Sequence, residues 1–94
     1  MKHFIDISNF ELKKLDSILK KAKQIKKNHK KFSNKCKNKT LGMIFQKDST
    51  RTRASFTVGF QKLGGNTIEL NSKSIGFGKR ESAEDILRTL AQYI

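Results

Sequence analysis

Ser49-Thr50-Arg51-Thr52-Arg53 sets five polar donors in succession between an apolar run, Leu41-Gly42-Met43-Ile44-Phe45, and a segment with apolar residues at Phe56, Phe60 and Leu63. The run reads as a buried strand, and Phe56, Phe60 and Leu63 as one face of a helix, so the donors lie where a strand turns into a helix. The start of a helix presents unpaired backbone N–H groups and the positive end of the peptide dipole, and both attract an anion. Ser49 is placed to cap the helix, and Thr50 and Thr52 offer hydroxyl donors. The Arg51 guanidinium can grip two oxygens at once in a planar fork. The chemistry these residues predict is recognition of a phosphate or similar oxyanion.

The elements that must position this segment are legible around it. Ser8-Asn9-Phe10-Glu11 has the form of a capping box, with Ile7 and Leu12 as a hydrophobic staple, and Leu12, Leu15, Ile18, Leu19, Ala22 and Ile25 recur at helical spacing. An amphipathic helix is therefore predicted over 8–27, followed by a polar, basic loop. Next come a strand over 41–46, a helix over 50–63 stopped by Gly64-Gly65, a strand over 67–70, a loop over 71–81 and a helix over 83–94 opened by Ser82-Ala83-Glu84-Asp85. Strand, helix, strand is the unit that builds a parallel sheet, so the fold class is α/β, a parallel-sheet domain preceded by an amino-terminal amphipathic helix. Gly59 inside the second helix costs stability unless the helix approaches the sheet closely there, and is expected to be a packing site. Two strands make a narrow sheet, and the last helix breaks off with its apolar face (Ile86, Leu90, Tyr93) unfinished. The expectation is an incomplete domain at the beginning of a larger protein.

With 94 residues the chain holds one domain at most, and an apolar content of 35% allows only a modest core. The formal charge of +13 is uneven: residues 1–40 carry 13 Lys against 3 acidic residues, whereas residues 41–94 carry 8 Lys/Arg against 5. The amino-terminal cations are all Lys, mixed with Asn, with no Arg and hardly an aromatic among them. Stacking on bases needs aromatics and base-edge contacts favour Arg, so the patch reads as a solvated face rather than a nucleic-acid site. Cys36 is the only cysteine, which excludes an internal disulfide and suits the cytoplasm. No stretch has the length and apolarity of a membrane span. His3 and His29 stand alone in polar surroundings, so neither a metal nor a cofactor is expected.

Phe45-Gln46-Lys47-Asp48-Ser49-Thr50-Arg51-Thr52-Arg53-Ala54-Ser55-Phe56 resembles the carbamoyl-phosphate signature of the aspartate/ornithine carbamoyltransferase superfamily. Lys2-His3-Phe4-Ile5-Asp6-Ile7 resembles that family's opening and Gln61-Lys62-Leu63-Gly64-Gly65 its helix end, so the likeness runs along nearly the whole chain. Gly78-Lys79-Arg80-Glu81-Ser82, with Asp85 and Leu90, resembles the ornithine carbamoyltransferase branch, and the chain resembles the amino-terminal part of its carbamoyl-phosphate-binding domain. The resemblance implies that Ser49, Thr50, Arg51 and Thr52 bind carbamoyl phosphate, and that Arg51 is catalytic in transferring its carbamoyl group to ornithine. Arg53 is expected to be structural, since one helical turn has no room to aim every side chain at one ligand, and a salt bridge to a nearby Asp or Glu stands as an open alternative for it.

The resemblance also implies a homotrimer or a complementing chain, with a loop reaching into the neighbouring subunit's site. At the matching position this sequence has Gly76, which offers no side chain, and leaves Lys79 as the candidate substitute. The family's His-Pro-x-Gln motif and its whole ornithine-binding domain have no counterpart here, so the chain is expected to be inactive alone. Rival readings are a fragment of an aspartate carbamoyltransferase, a small basic nucleic-acid-binding protein, and a relic of gene decay without a stable fold.

Overall fold

Alternate residues of a strand face opposite sides of its sheet, and the apolar run ahead of the donor segment uses both sides. The computed structural model describes residues 3–71 and 83–94. In order it contains α1 (Leu12–Lys27), β1 (Thr40–Phe45), α2 (Thr50–Lys62), β2 (Asn66–Asn71) and α3 (Ala83–Leu90). β1 and β2 pair in parallel, from Thr40 opposite Asn66 to Phe45 opposite Asn71, with α2 in the connection between them. This register puts Leu41, Met43 and Phe45 on one face with Thr67, Glu69 and Asn71, and Gly42 and Ile44 on the other with Ile68 and Leu70.

Helix α2 covers the first face, where Thr57 Oγ1 lies 3.9 Å from Met43 Sδ and Arg53 reaches Phe45 and Glu69. Ile94 reaches the second face, since a methyl group built on Gly42 would stand 2.8 Å from Ile94 Cδ1. A parallel pair of strands with a helix in the crossover is the α/β architecture expected from the sequence. Among the described residues only Phe32 and Met43 are buried hydrophobics, while Phe56, Val58 and Ile68 keep 40% or more of their surface exposed. The core around the sheet is correspondingly thin.

The chain divides into two units, Met1–Phe32 and Ser33–Ile94. In the first, α1 begins at Leu12 and not near Ser8, because the predicted capping box does not form. Asp6 Oδ1 accepts the Ser8 amide at 3.2 Å and sets a short 3-10 turn over Ile7–Asn9, after which Glu11 stands extended at the helix start with no side-chain cap. An aspartate that satisfies nearby backbone locally competes with the helix for those same groups. The Lys21 ammonium lies 5.5 Å from the centre of the buried Phe32 ring. No helix among the described residues is long and apolar enough to cross a membrane.

In the second unit α2 closes with a Schellman arrangement. The Gly64 and Gly65 amides donate to the Gln61 and Phe60 carbonyls at 2.9 and 3.0 Å, and Gly64 has φ +92°. Gly59 departs from expectation, since a methyl group built there would meet nothing within 4 Å, so no close approach to the sheet explains it. Gly59→Ala is therefore expected to stabilise the chain by about 0.5–1 kcal/mol, read as a higher urea midpoint, because it removes backbone freedom from the unfolded chain without a clash. Helix α3 ends at Leu90, short of the expected 94, and the chain continues as a turn in which the Tyr93 amide donates to the Leu90 carbonyl at 2.9 Å.

Candidate anion-binding site

The turn from β1 into α2 brings Ser49 to the N-cap position, with φ −138° and ψ 58°, and its carbonyl accepts the Arg53 amide at 2.7 Å. The amides of Thr50, Arg51 and Thr52 belong to the first turn, ahead of Arg53, the first amide to donate within the helix. Against expectation, the Ser49 hydroxyl makes no capping hydrogen bond, because the backbone at Ser49 does not adopt the β conformation that directs a cap side chain onto those amides. The hydroxyl and the first-turn amides stay available to a ligand. The side chains of Thr50, Arg51 and Thr52 are exposed and, among the described residues, have neither ion-pair nor hydrogen-bond partners.

The charge pattern of this helix start bears on ligand choice. Acidic side chains favour the first turn of a helix, and α3 follows the rule with Glu84 and Asp85 there. Helices α1 and α2 both lack an acidic residue in the first turn, and α2 carries Arg51 there. A cation beside the positive end of the dipole is unfavourable in the free chain and becomes favourable once an anion lies between them.

Arg53 turns elsewhere. Its Nε lies 2.6 Å from Glu69 Oε1 and its guanidinium carbon 5.4 Å from the centre of the Phe45 ring. The Nε is shielded from solvent without a directed hydrogen bond, so the contact with Glu69 is an ion pair by proximity. Of the alternatives open for Arg53 in the sequence, the ion pair is the one present, and its partner is a strand residue 16 positions on in sequence.

A cleft of about 530 Å³ opens at the carboxyl ends of both strands, walled by Phe45, Gln46, Lys47 and Asp48, by Arg53, and by Glu69, Leu70 and Asn71. Ligands of open parallel sheets collect at such strand ends. Ser49, Thr50, Arg51 and Thr52 stand beside this cleft in sequence but do not wall it. Sequence reasoning missed Lys47 and Glu69 as site-lining residues. The signal for Glu69 was its place in the alternation Thr67-Ile68-Glu69-Leu70, which sets it on the face turned to α2. Gly76 and Lys79 lie outside the described residues.

A sequence model of the family described as aspartate/ornithine carbamoyltransferase, carbamoyl-P binding domain, matches residues 2–94. The chain belongs to this family. The ornithine carbamoyltransferase of Campylobacter hominis is 40% identical over 96 residues, an alignment that takes in 100% of this chain and 31% of the relative. Anabolic ornithine carbamoyltransferase from Campylobacter jejuni superposes with a TM-score of 0.87 at 34% identity, covering 100% of this chain and 30% of that one. The catalytic subunit of M. jannaschii aspartate transcarbamoylase superposes with a TM-score of 0.84 at 32% identity, covering 99% of this chain and 31% of that one. The chain thus spans about a third of the length of the carbamoyltransferases it matches. Its relatives are enzymes of carbamoyl transfer, and both the ornithine and the aspartate branch are represented among them. The α/β sheet and the helix start described above lie within the matched domain.

Proposed function

We propose that this chain supplies the carbamoyl-phosphate half-site of an ornithine carbamoyltransferase, with the phosphate seated on the amino end of α2. The observation that carries the reading is the helix start itself, with first-turn donors and an Arg51 that have no partner among the described residues, and no acidic residue in the turn. Thr50, Arg51 and Thr52 would donate backbone N–H groups to the phosphate oxygens, supplemented by the Ser49, Thr50 and Thr52 hydroxyls. The Arg51 fork would span a phosphate oxygen and the carbamoyl carbonyl oxygen.

In the reaction implied, the side-chain amine of ornithine attacks the carbamoyl carbon and a C–N bond forms. The bond from that carbon to the phosphate oxygen breaks, the amine loses a proton, and citrulline and inorganic phosphate result. Charge builds on the carbonyl oxygen and on the leaving phosphate, and Arg51 neutralises both from a fixed position, so catalysis rests on positioning and electrostatics with no covalent nucleophile. Ornithine as acceptor is supported by relatives that match the whole chain. The acceptor's own binding groups belong, in this reading, to the portion of the relatives that the chain does not span. A cytoplasmic trimer is part of the same reading.

Titrating the chain with carbamoyl phosphate while following backbone amide shifts tests it. Saturable shifts confined to Thr50, Arg51, Thr52 and their neighbours are the expected result. Unsaturable shifts spread over the lysines of residues 1–40 would overturn it in favour of diffuse attraction. A second reading, with aspartate as acceptor, draws on the match to the aspartate transcarbamoylase subunit, and differs in its product, N-carbamoyl-aspartate in place of citrulline.

A further inference from the structure

We propose that Arg53 is a positioning residue of this site: its pairing with Glu69 and its place over Phe45 fix the direction in which the first turn of α2 presents Thr50, Arg51 and Thr52 to an anion. The proposal rests on the anion-site reading above and adds to it the device that aims the donors.

Two residues apart on a helix means a rotation of about 200°, so Arg51 and Arg53 leave the helix on nearly opposite sides. Arg51 is exposed and unpartnered among the described residues, whereas Arg53 lies against the sheet and is two-thirds buried. Glu69 stands opposite Met43 in the register, on the face that α2 covers, and Phe45 is the last residue of β1 before the turn. The Arg53 guanidinium therefore joins three pieces of chain, the end of β1, the middle of β2 and the first turn of α2, within one side chain's length of the donors. Among the described residues no other ion pair links α2 to the sheet. A further polar contact, from Thr57 to the Met43 sulfur, sits a turn further on and is long at 3.9 Å.

The pair also settles which arginine remains free to meet a ligand. Glu69 compensates the Arg53 charge, so among the described residues Arg51 is left as the uncompensated cation of the first turn. Partly exposed ion pairs contribute little to global stability, which separates aim from folding: losing this pair should misdirect the donors while the unit stays folded.

Glu69→Gln and Arg53→Gln, each titrated with carbamoyl phosphate in the full chain, decide the matter. Positioning predicts that both weaken binding by about tenfold, as small misalignments of a bound group commonly do, with an unchanged spread of amide shifts. It further predicts that the charge-swapped double variant, Arg53→Glu with Glu69→Arg, recovers most of the loss. If Arg53 were itself an anion ligand, freeing it by Glu69→Gln would tighten binding, and that result overturns the proposal. Unaltered affinity in both single variants overturns it as well, while leaving the anion site intact. Absence of saturable binding in the unsubstituted chain would instead overturn the site reading on which this one stands. Should Arg53→Gln fail to fold, the direction of the Glu69→Gln effect still decides.

Discussion

Arg51→Ala is expected to weaken carbamoyl phosphate binding by about ten- to hundredfold, the loss of one or two charge-assisted hydrogen bonds at about 1.5–3 kcal/mol in total. The substitution isolates binding from folding, because Arg51 is exposed and has no partner among the described residues to be left unsatisfied. Removing a cation from the positive end of the α2 dipole should, if anything, raise the urea midpoint slightly in the absence of ligand. Affinity and stability therefore move in opposite directions, a signature that a merely structural arginine would not give. Arg51→Lys is expected to recover only part of the affinity, since an ammonium restores the charge but not the planar fork. Equal affinity in Arg51→Ala and the unsubstituted chain, measured by the same amide titration, would remove Arg51 from the site.

Gly64→Ala is expected to destabilise the chain by about 2–4 kcal/mol, combining a left-handed backbone conformation with overpacking. The φ of +92° is one an L-residue adopts poorly, and the added methyl would run into the Ser33 carbonyl oxygen, which is backbone and cannot rotate away. The neighbouring Gly65 is constrained as well: a methyl there would meet the Phe60 ring and the Cys36 carbonyl oxygen. With a core this thin, such a loss is a large share of the total stability. Circular dichroism in urea should show a midpoint shifted far down, or no folded baseline at all. A midpoint within experimental scatter of the unsubstituted chain would mean that the segment around Ser33 gives way without cost.

What the sequence disclosed, and what it hid, divides along the range of the interactions. The strand-to-helix switch at Ser49–Arg53 was legible because donor residues, apolar runs and the Gly64-Gly65 stop are local signals, and β1, α2 and β2 fall within a residue of their predicted limits. The start of α1 was misplaced because two local signals competed: Asp6 took the Ser8 amide before Ser8 could cap anything. Gly59 misled for a different reason, since an unfavourable residue suggested a compensating contact and none exists. That Arg53 takes an acidic partner was one of two readings the sequence left open. That the partner is Glu69 depends on strand register, which no single stretch of sequence encodes.

The closing turn of α2 has a mechanical consequence. At its carboxyl end the helix is tied by a backbone hydrogen bond from the Cys36 amide to the Leu63 carbonyl at 2.8 Å, and the chain just beyond it by one from the Asn66 amide to the Lys39 carbonyl at 3.0 Å. Such bonds leave no rotamer to change, whereas near its amino end the helix reaches the sheet through the Arg53 side chain. The helix is thus a lever with its pivot at Gly64-Gly65 and its working tip at Thr50, some 20 Å away at about 1.5 Å per residue. A tilt of a few degrees at the pivot moves the tip by an ångström or more, so whatever clamps the tip sets how finely the donors can be aimed.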